Sequence, residues 1–355
     1  MYKKIFMGIA AVAALTLVSC SSDDLNSLSD NSSKNEAISF DGYLGRSAVA
    51  VNGSRGSVET KETLKTDGFG VFGKYNADAG QNFGSDLFNN VKVYSSSTAE
   101  PVTWTYDNTK YWPTDGHVDF LAYAPHVDKK QLINGSSIDF TVEGEAANQK
   151  DLLWANAKGQ TKENGKVTFK FAHALSRLGY KVKLNDDYTG TTIKLNKITL
   201  AGSADGNGTN KAFYKTGTID LSYTSSTTSP TTSPTTSLWK PSEEKQDFEW
   251  FSGDNQLSKT DAATNPETEY LFVIPQNFSQ KTTSADALYV IVDYTITYSD
   301  GTTVKTKVYK QLEWDFLQGK AYTINLTLGL TPIEFDVTTV EGWTDTNQGH
   351  INSWN

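Results

Sequence analysis

Ala37-Ile-Ser-Phe-Asp-Gly-Tyr-Leu-Gly-Arg-Ser-Ala-Val-Ala-Val-Asn-Gly-Ser-Arg-Gly56 is the stretch on which the reading of this chain turns. Its first half alternates, with Ile38, Phe40 and Leu44 on one side and Ser39, Asp41 and Tyr43 on the other. That is the period of a half-buried β-strand. Its second half is small and polar and carries Arg46 and Arg55; the whole chain has one further arginine, Arg177. Two readings follow from these residues. Either this is a first strand with an ordinary loop after it, or it is a strand that can be cut away from the body behind it at a rare basic site.

Working outward toward the N-terminus, residues 1–19 read as an export signal. Lys3 and Lys4 form a basic start, and an apolar run from Ile5 to Leu17 follows, too short for a mature membrane span. The run ends in Leu17-Val-Ser-Cys20, the pattern of a bacterial lipobox, and Cys20 is the only cysteine. Cleavage there would leave Cys20 as a lipidated N-terminus, each buried methylene contributing about 0.8 kcal/mol to anchoring. With one cysteine no internal disulfide can form, so the fold must stand on its core. Residues 20–36 are polar and include Asp23, Asp24, Asp30 and Glu36, which reads as a disordered tether.

The net charge is −9 at pH 7, and it is more negative still without Lys3 and Lys4. An acidic chain with so few arginines does not fit nucleic-acid binding or adhesion to anionic lipid. Tyr, Phe and Trp number 17, 17 and 8 against 2 Met, which favours β-rich packing over helix bundles.

Toward the C-terminus the chain reads as strand after strand. Gly68-Phe-Gly-Val-Phe72 is one. Val102, Trp104 and Tyr106 then alternate, and Asp107-Asn108 turn the chain back into Tyr111-Trp-Pro113 as a hairpin. Val118 to Pro125 and Asp151 to Ala155 follow. The polar segment 157–166 is the expected inter-domain connection. Beyond it, Leu288, Val290, Val292, Tyr294, Ile296 and Tyr298 share one face, and Ser299-Asp300-Gly301 turns into Val304 to Tyr309. Leu312, Trp314 and Phe316 should form a hairpin with Tyr322, Ile324, Leu326 and Leu328. Pro332 then precedes a last alternating strand, Ile333-Glu-Phe335-Asp-Val337. The Thr/Ser/Pro repeat from 224 to 237 has no apolar side chain to bury and reads as a solvated loop. Many short strands joined without helices predict an all-β protein of two tandem antiparallel β-sandwiches, over 37–160 and 161–355.

No chemistry is legible. The four histidines, His117, His126, His173 and His350, lack ligand-like spacing, and there is no nucleophile elbow or phosphate-cradling loop. His173, among Phe171, Ala174 and Leu175, reads as a satisfied core histidine. Asp205-Gly-Asn-Gly208 reads as a turn, since the twelfth position of a calcium loop there would be Thr216 rather than glutamate. Neither enzyme activity nor a cofactor is implied.

Taken together, the lipobox, Ile38-Ser-Phe40, the arginine loop, Gly68 to Phe72, Val102-Thr-Trp104 with Tyr111-Trp-Pro113, Val118 to Pro125, Phe171 to Arg177, Gly319-Lys-Ala-Tyr322 and the region near Trp343 resemble the fimbrillin-like pilins. These are lipoprotein subunits of Bacteroides-type type V pili. The resemblance implies transthyretin-like sandwiches and export to the cell outer membrane as a surface-exposed, acylated (for instance palmitoylated) lipoprotein. It also implies removal of the first strand by an arginine-specific protease, at Arg55 or alternatively Arg46. A strand from another pilin subunit, of the same or a related kind, would then replace Ile38, Phe40 and Leu44. The segment 331–343 is the expected donor, because Ile333, Phe335 and Val337 repeat the apolar spacing of the first strand. Two functions remain open at this point. One is a structural subunit of an adhesive fimbria (stalk, tip or anchor). The other is a monomeric surface lipoprotein that binds glycan or a host protein.

Overall fold

Period-two apolar patterning becomes strand along much of the described chain, so the protein is mostly β and its strands fall into several sheets. The computed structural model describes residues 36–44, 59–78, 85–95, 97, 102–224, 238–265, 269–279, 286–330 and 334–340. Cys20, Arg46, Arg55, Ile333 and the repeat from 225 to 237 lie outside the described residues.

The largest sheet has seven strands: β1 (Phe40–Leu44), β2 (Phe69–Asn76), β3 (Ser85–Ser95), β4 (Trp104–Thr105), β5 (His117–Ala124), β7 (Leu153–Gln160) and β8 (Val167–His173). Their spatial order is β1-β8-β7-β5-β2-β3-β4. The intervening β6 (Ser137–Thr141) pairs instead with β12 (Thr216–Asp220), which also carries β13 (Trp239–Pro241). A four-stranded sheet runs β15 (Phe248–Gln256), β10 (Thr192–Ala201), β19 (Tyr289–Thr297), β20 (Thr303–Gln311). A further sheet runs β16 (Ala263–Thr264), β9 (Ser176–Leu184), β22 (Ala321–Leu328), β23 (Glu334–Val340), with β17 (Leu271–Val273) also on β9. Two short pairs, β11 (Phe213–Tyr214) with β14 (Lys245–Gln246) and β18 (Gln276–Asn277) with β21 (Asp315–Phe316), complete the set among the described residues.

Two cores result, and β5 explains how they meet. Its run of buried residues sends Val118, Phe120, Ala122 and Ala124 into an aromatic core with Ile38, Phe40, Phe69, Phe88, Phe169 and Phe171. Leu121 and Tyr123 point the other way, into the larger core that holds Leu178, Val182, Ile198, Val292 and Ile324. A strand buried on both faces cannot show polar alternation, which is why residues 120–124 of β5 read as a continuous apolar run.

Five sequence expectations are corrected by the structure. Two of the sheets are mixed rather than antiparallel: β1 runs parallel to β8, and β22 runs parallel to β9. The segment 157–166 holds the end of β7, a 3-10 turn at Lys162–Asn164 and the approach to β8, so it joins two neighbouring strands of the seven-stranded sheet rather than two domains. Tyr111 bridges Ala37 rather than folding back on β4, and β21 pairs with β18 rather than with β22. Finally, a short helix, α1 (Lys61–Asp67), joins β1 to β2. Its N-terminus is capped reciprocally, with Thr63 N–H donating to Thr60 Oγ1 and Thr60 N–H donating to Thr63 Oγ1.

The hairpin at 298–302 is as expected, with β19 and β20 in register from Tyr289 opposite Gln311 to Thr297 opposite Thr303. Its inward face is buried from Leu288 to Ile296, while Tyr298 at the turn is exposed.

Candidate functional site

The structural site of interest is the place that β1 occupies. Ile38 and Phe40 are each 2% exposed, and Leu44 is buried behind them, while Tyr43 on the opposite face is exposed. In the sheet order β1 is an edge, yet the stretch 36–44 has neighbours on both sides, β8 along 39–44 and residues 110–112 along 36–38. On one side it lies parallel to β8, from Phe40 opposite Val167 to Leu44 opposite Phe171. On the other, Ile38 N–H donates to the Lys110 carbonyl and Trp112 N–H donates to the Glu36 carbonyl, both at 2.9 Å. Val167 N–H donates to the Ser39 carbonyl at 2.9 Å, and the Tyr106 hydroxyl donates to the Ile38 carbonyl at 2.7 Å. The segment 36–44 is therefore a wedge between β8 and residues 106–112. Main-chain bonds hold it, and these would fit any strand of suitable shape.

Side chains supply the selectivity. Phe40 sits in a box of four rings, with centroid distances of 5.3 Å to Phe88, 5.4 Å to Tyr106, 5.5 Å to Phe120 and 5.8 Å to Phe169. Edge-to-face and offset contacts of this kind contribute about 0.5–1.5 kcal/mol each beyond burial. Two residues on, Gly42 faces the rings of Phe69 and Phe171. Sequence reasoning identified Ile38, Phe40 and Leu44 but missed the box, because its members come from β3, β5, β8 and the 106–112 segment.

A second cluster was also hidden in the sequence. His173, 4% exposed, places Nδ1 2.6 Å from Asp151 Oδ2, in keeping with its reading as a satisfied core histidine. The same oxygen accepts the Glu59 N–H at 3.1 Å, and Asp151 Oδ1 accepts the Leu152 N–H at 2.8 Å. Glu59, itself buried, accepts a hydrogen bond from the Thr63 hydroxyl at 2.9 Å. Burial first and the nearby Asp151 carboxylate second push the Glu59 carboxyl up to about 8. Residues 59, 151 and 173 are too far apart in sequence for any local pattern to reveal this contact. Among the described residues, no group of three or more His, Cys, Asp or Glu side chains could hold a metal ion.

Of the other expected site residues, Phe335 lies in β23 opposite Leu326, and Val337 lies opposite Ile324. Val337 is buried in the larger core, so the first strand and the expected donor strand belong to different cores. Arg177 is fully buried in β9 with its guanidinium over the Tyr270 ring at 4.1 Å. The turn at 203–208 is closed by its own side chains, with Asn207 N–H and the Ser203 hydroxyl both donating to Asp205 Oδ1.

A mostly β chain of several sheets, whose first strand is wedged into an aromatic core, matches one described family over most of its length. The fimbrillin-like family model spans residues 57–343, and the chain belongs to that family. It is 27% identical, over 392 aligned residues covering 97% of this chain and 98% of that protein, to the fimbrium subunit Fim1C of Phocaeicola vulgatus. Its fold is similar to the crystal structure of a fimbrial protein from Bacteroides vulgatus. The TM-score is 0.62 at 22% identity, covering 87% of this chain and 100% of that one.

Proposed function

We propose that this chain is a subunit of a cell-surface fimbria that polymerises by strand exchange and so serves adhesion. The observation that carries the reading is the wedged first strand. It fills an aromatic box, it is bonded largely through main-chain groups, and it is followed at once by the arginine-bearing residues 45–58. Removal of 37–55 by an arginine-specific protease at Arg55, or at Arg46, would bare that box and the hydrogen-bonding edge of β8. An open edge beside exposed aromatic rings demands a partner strand. The start of the family match at residue 57, just after Arg55, accords with this division of the chain. So does the inaccessibility of Arg177, which leaves the folded body without an exposed arginine among the described residues.

In this proposal the precursor is exported and acylated on Cys20, and is held at the outer membrane until cleavage. The body consists of two transthyretin-like sandwiches, the first extending through β8. The segment 331–343, with Ile333, Phe335 and Val337 as its candidate contacts, is the strand this subunit donates to another pilin subunit. Digestion with an arginine-specific protease tests the core of it. A new N-terminus after Arg55 or Arg46 is expected, with SDS-resistant ladders when companion pilin subunits are present, and an intact monomer after exhaustive digestion would refute it. In the same assay Phe335→Asp should leave the monomer folded and abolish the ladders. Cys20→Ala should abolish labelling by a radioactive fatty acid.

A further inference from the structure

Gly42 is the one inward-facing position of β1 with no side chain, and the surrounding rings would crowd any side chain placed there. A Cβ there would lie 3.0 Å from Phe69 Cε1, 3.3 Å from Phe171 Cε2 and 3.4 Å from Phe69 Cζ. Contacts that tight are relieved only if the ring yields. Phe69 is fully buried, and its ring is held at 5.1 Å by Trp104, 5.7 Å by Phe169 and 5.1 Å by Phe171. A close-packed interior of this kind transmits strain rather than absorbing it. Below β1, therefore, the site is deep where Phe40 enters and shallow two residues later.

We infer that Phe69 and Phe171 form a size limit that selects the strand able to replace β1. The strand must carry a large aromatic residue in the Phe40 box and glycine two positions on, at the place of Gly42. This inference rests on the strand-exchange reading, and it bears on which subunit can be the partner. With Phe335 in the box, a strand running in the direction of β1 puts Val337 against the Phe69 wall. A strand running the opposite way puts Ile333 there. Both are branched at Cβ, so neither direction satisfies the limit. The single glycine of the segment, Gly342, would reach the wall only by placing Val340 or Thr344 in the box, far smaller than the phenylalanine it holds. The partner strand accordingly comes from a non-identical subunit with the pattern large-x-aromatic-x-glycine-x-aliphatic, rather than from a second copy of this chain.

Peptide exchange into the cleaved protein tests the limit. The full chain is digested with an arginine-specific protease in the presence of fluorescent peptides, and incorporation is measured. A peptide of residues 37–44 should enter. Its Gly42→Val variant and a peptide of residues 331–340 should bind about tenfold to a hundredfold more weakly, the range expected for overpacking. Val337→Gly or Ile333→Gly in the second peptide should restore entry, and which of the two succeeds reports the strand's direction. Equal entry of all peptides would overturn the size limit while leaving strand exchange intact. If no peptide enters, strand exchange fails, and the limit is then decided in the intact chain. There Gly42→Val should lower the thermal midpoint, and should lower it less in a Phe69→Leu background. Valine favours strands over glycine, so an unchanged or raised midpoint would overturn the limit.

Discussion

The two ends of the described chain offer strands of the same apolar spacing in opposite situations. The stretch 36–44 has partners on both sides, β8 along β1 and residues 110–112 along 36–38 just ahead of it, and every large inward side chain it carries is buried in one aromatic core. Among the described residues β23 pairs on one side, with β22, at the edge of its sheet. In β1 the ring of Phe40 makes four aromatic contacts. In β23 Val337 is an aliphatic residue at the margin of the larger core. A strand held on two sides is a structural element whose loss leaves a defined vacancy, whereas a strand held on one side can leave at less cost. Ile-x-Phe spacing by itself does not distinguish these cases; the neighbours do.

Four substitutions can break or sharpen that contrast. Phe40→Ala should have the largest effect, about 3–5 kcal/mol of lost stability in chemical denaturation, because four rings lose a common partner. Val337→Ala should cost about 1.5 kcal/mol, two methyl groups' worth of burial. Were the two losses equal, the contrast between the strands would fall. Tyr106→Phe should cost about 1 kcal/mol by removing the hydroxyl that bonds the Ile38 carbonyl, and it should speed the release of the first strand after cleavage. The fourth test is a pH dependence at Glu59, where the chain enters α1. Because burial raises its carboxyl from 4.5 to about 8, the folded state retains a proton that the unfolded state has given up. The stabilisation is complete below about 4.5 and is lost as pH rises toward about 8. Asp151 and Asp67 reinforce this shift, while Lys150 and the Thr63 hydroxyl oppose it. Glu59→Gln should flatten the stability profile across that window, measured as the denaturation midpoint against pH; a profile as steep as wild type would remove Glu59 as its source.

Much of this was legible in the residues because strand alternation is a local property. β19 with its turn into β20 and the inward face of β1 follow from period-two patterning and turn residues alone. Pairing was less legible, since it depends on which edges meet. The Tyr111 segment pairs with Ala37, and β21 with β18, although hairpins to their sequence neighbours were equally compatible with the pattern. The helix α1 escaped notice because its capping box ends in Thr63, where the familiar signature has glutamate or glutamine.

The sequence by itself determined that the chain is β-rich, that Ile38, Phe40 and Leu44 share a face, and that an arginine pair follows them. Those facts depend on residue type and on spacing of a few positions. Only the tertiary structure decided that β1 lies parallel to β8, that Phe40 is boxed by rings from four separate segments, and that Gly42 meets a wall. The aromatic core also closes around residues as distant as Phe69 and Phe171, and Asp151 serves both Glu59 and His173. The physical reason is that packing and desolvation act between surfaces brought together by the whole fold, at sequence separations where no residue pattern carries the information.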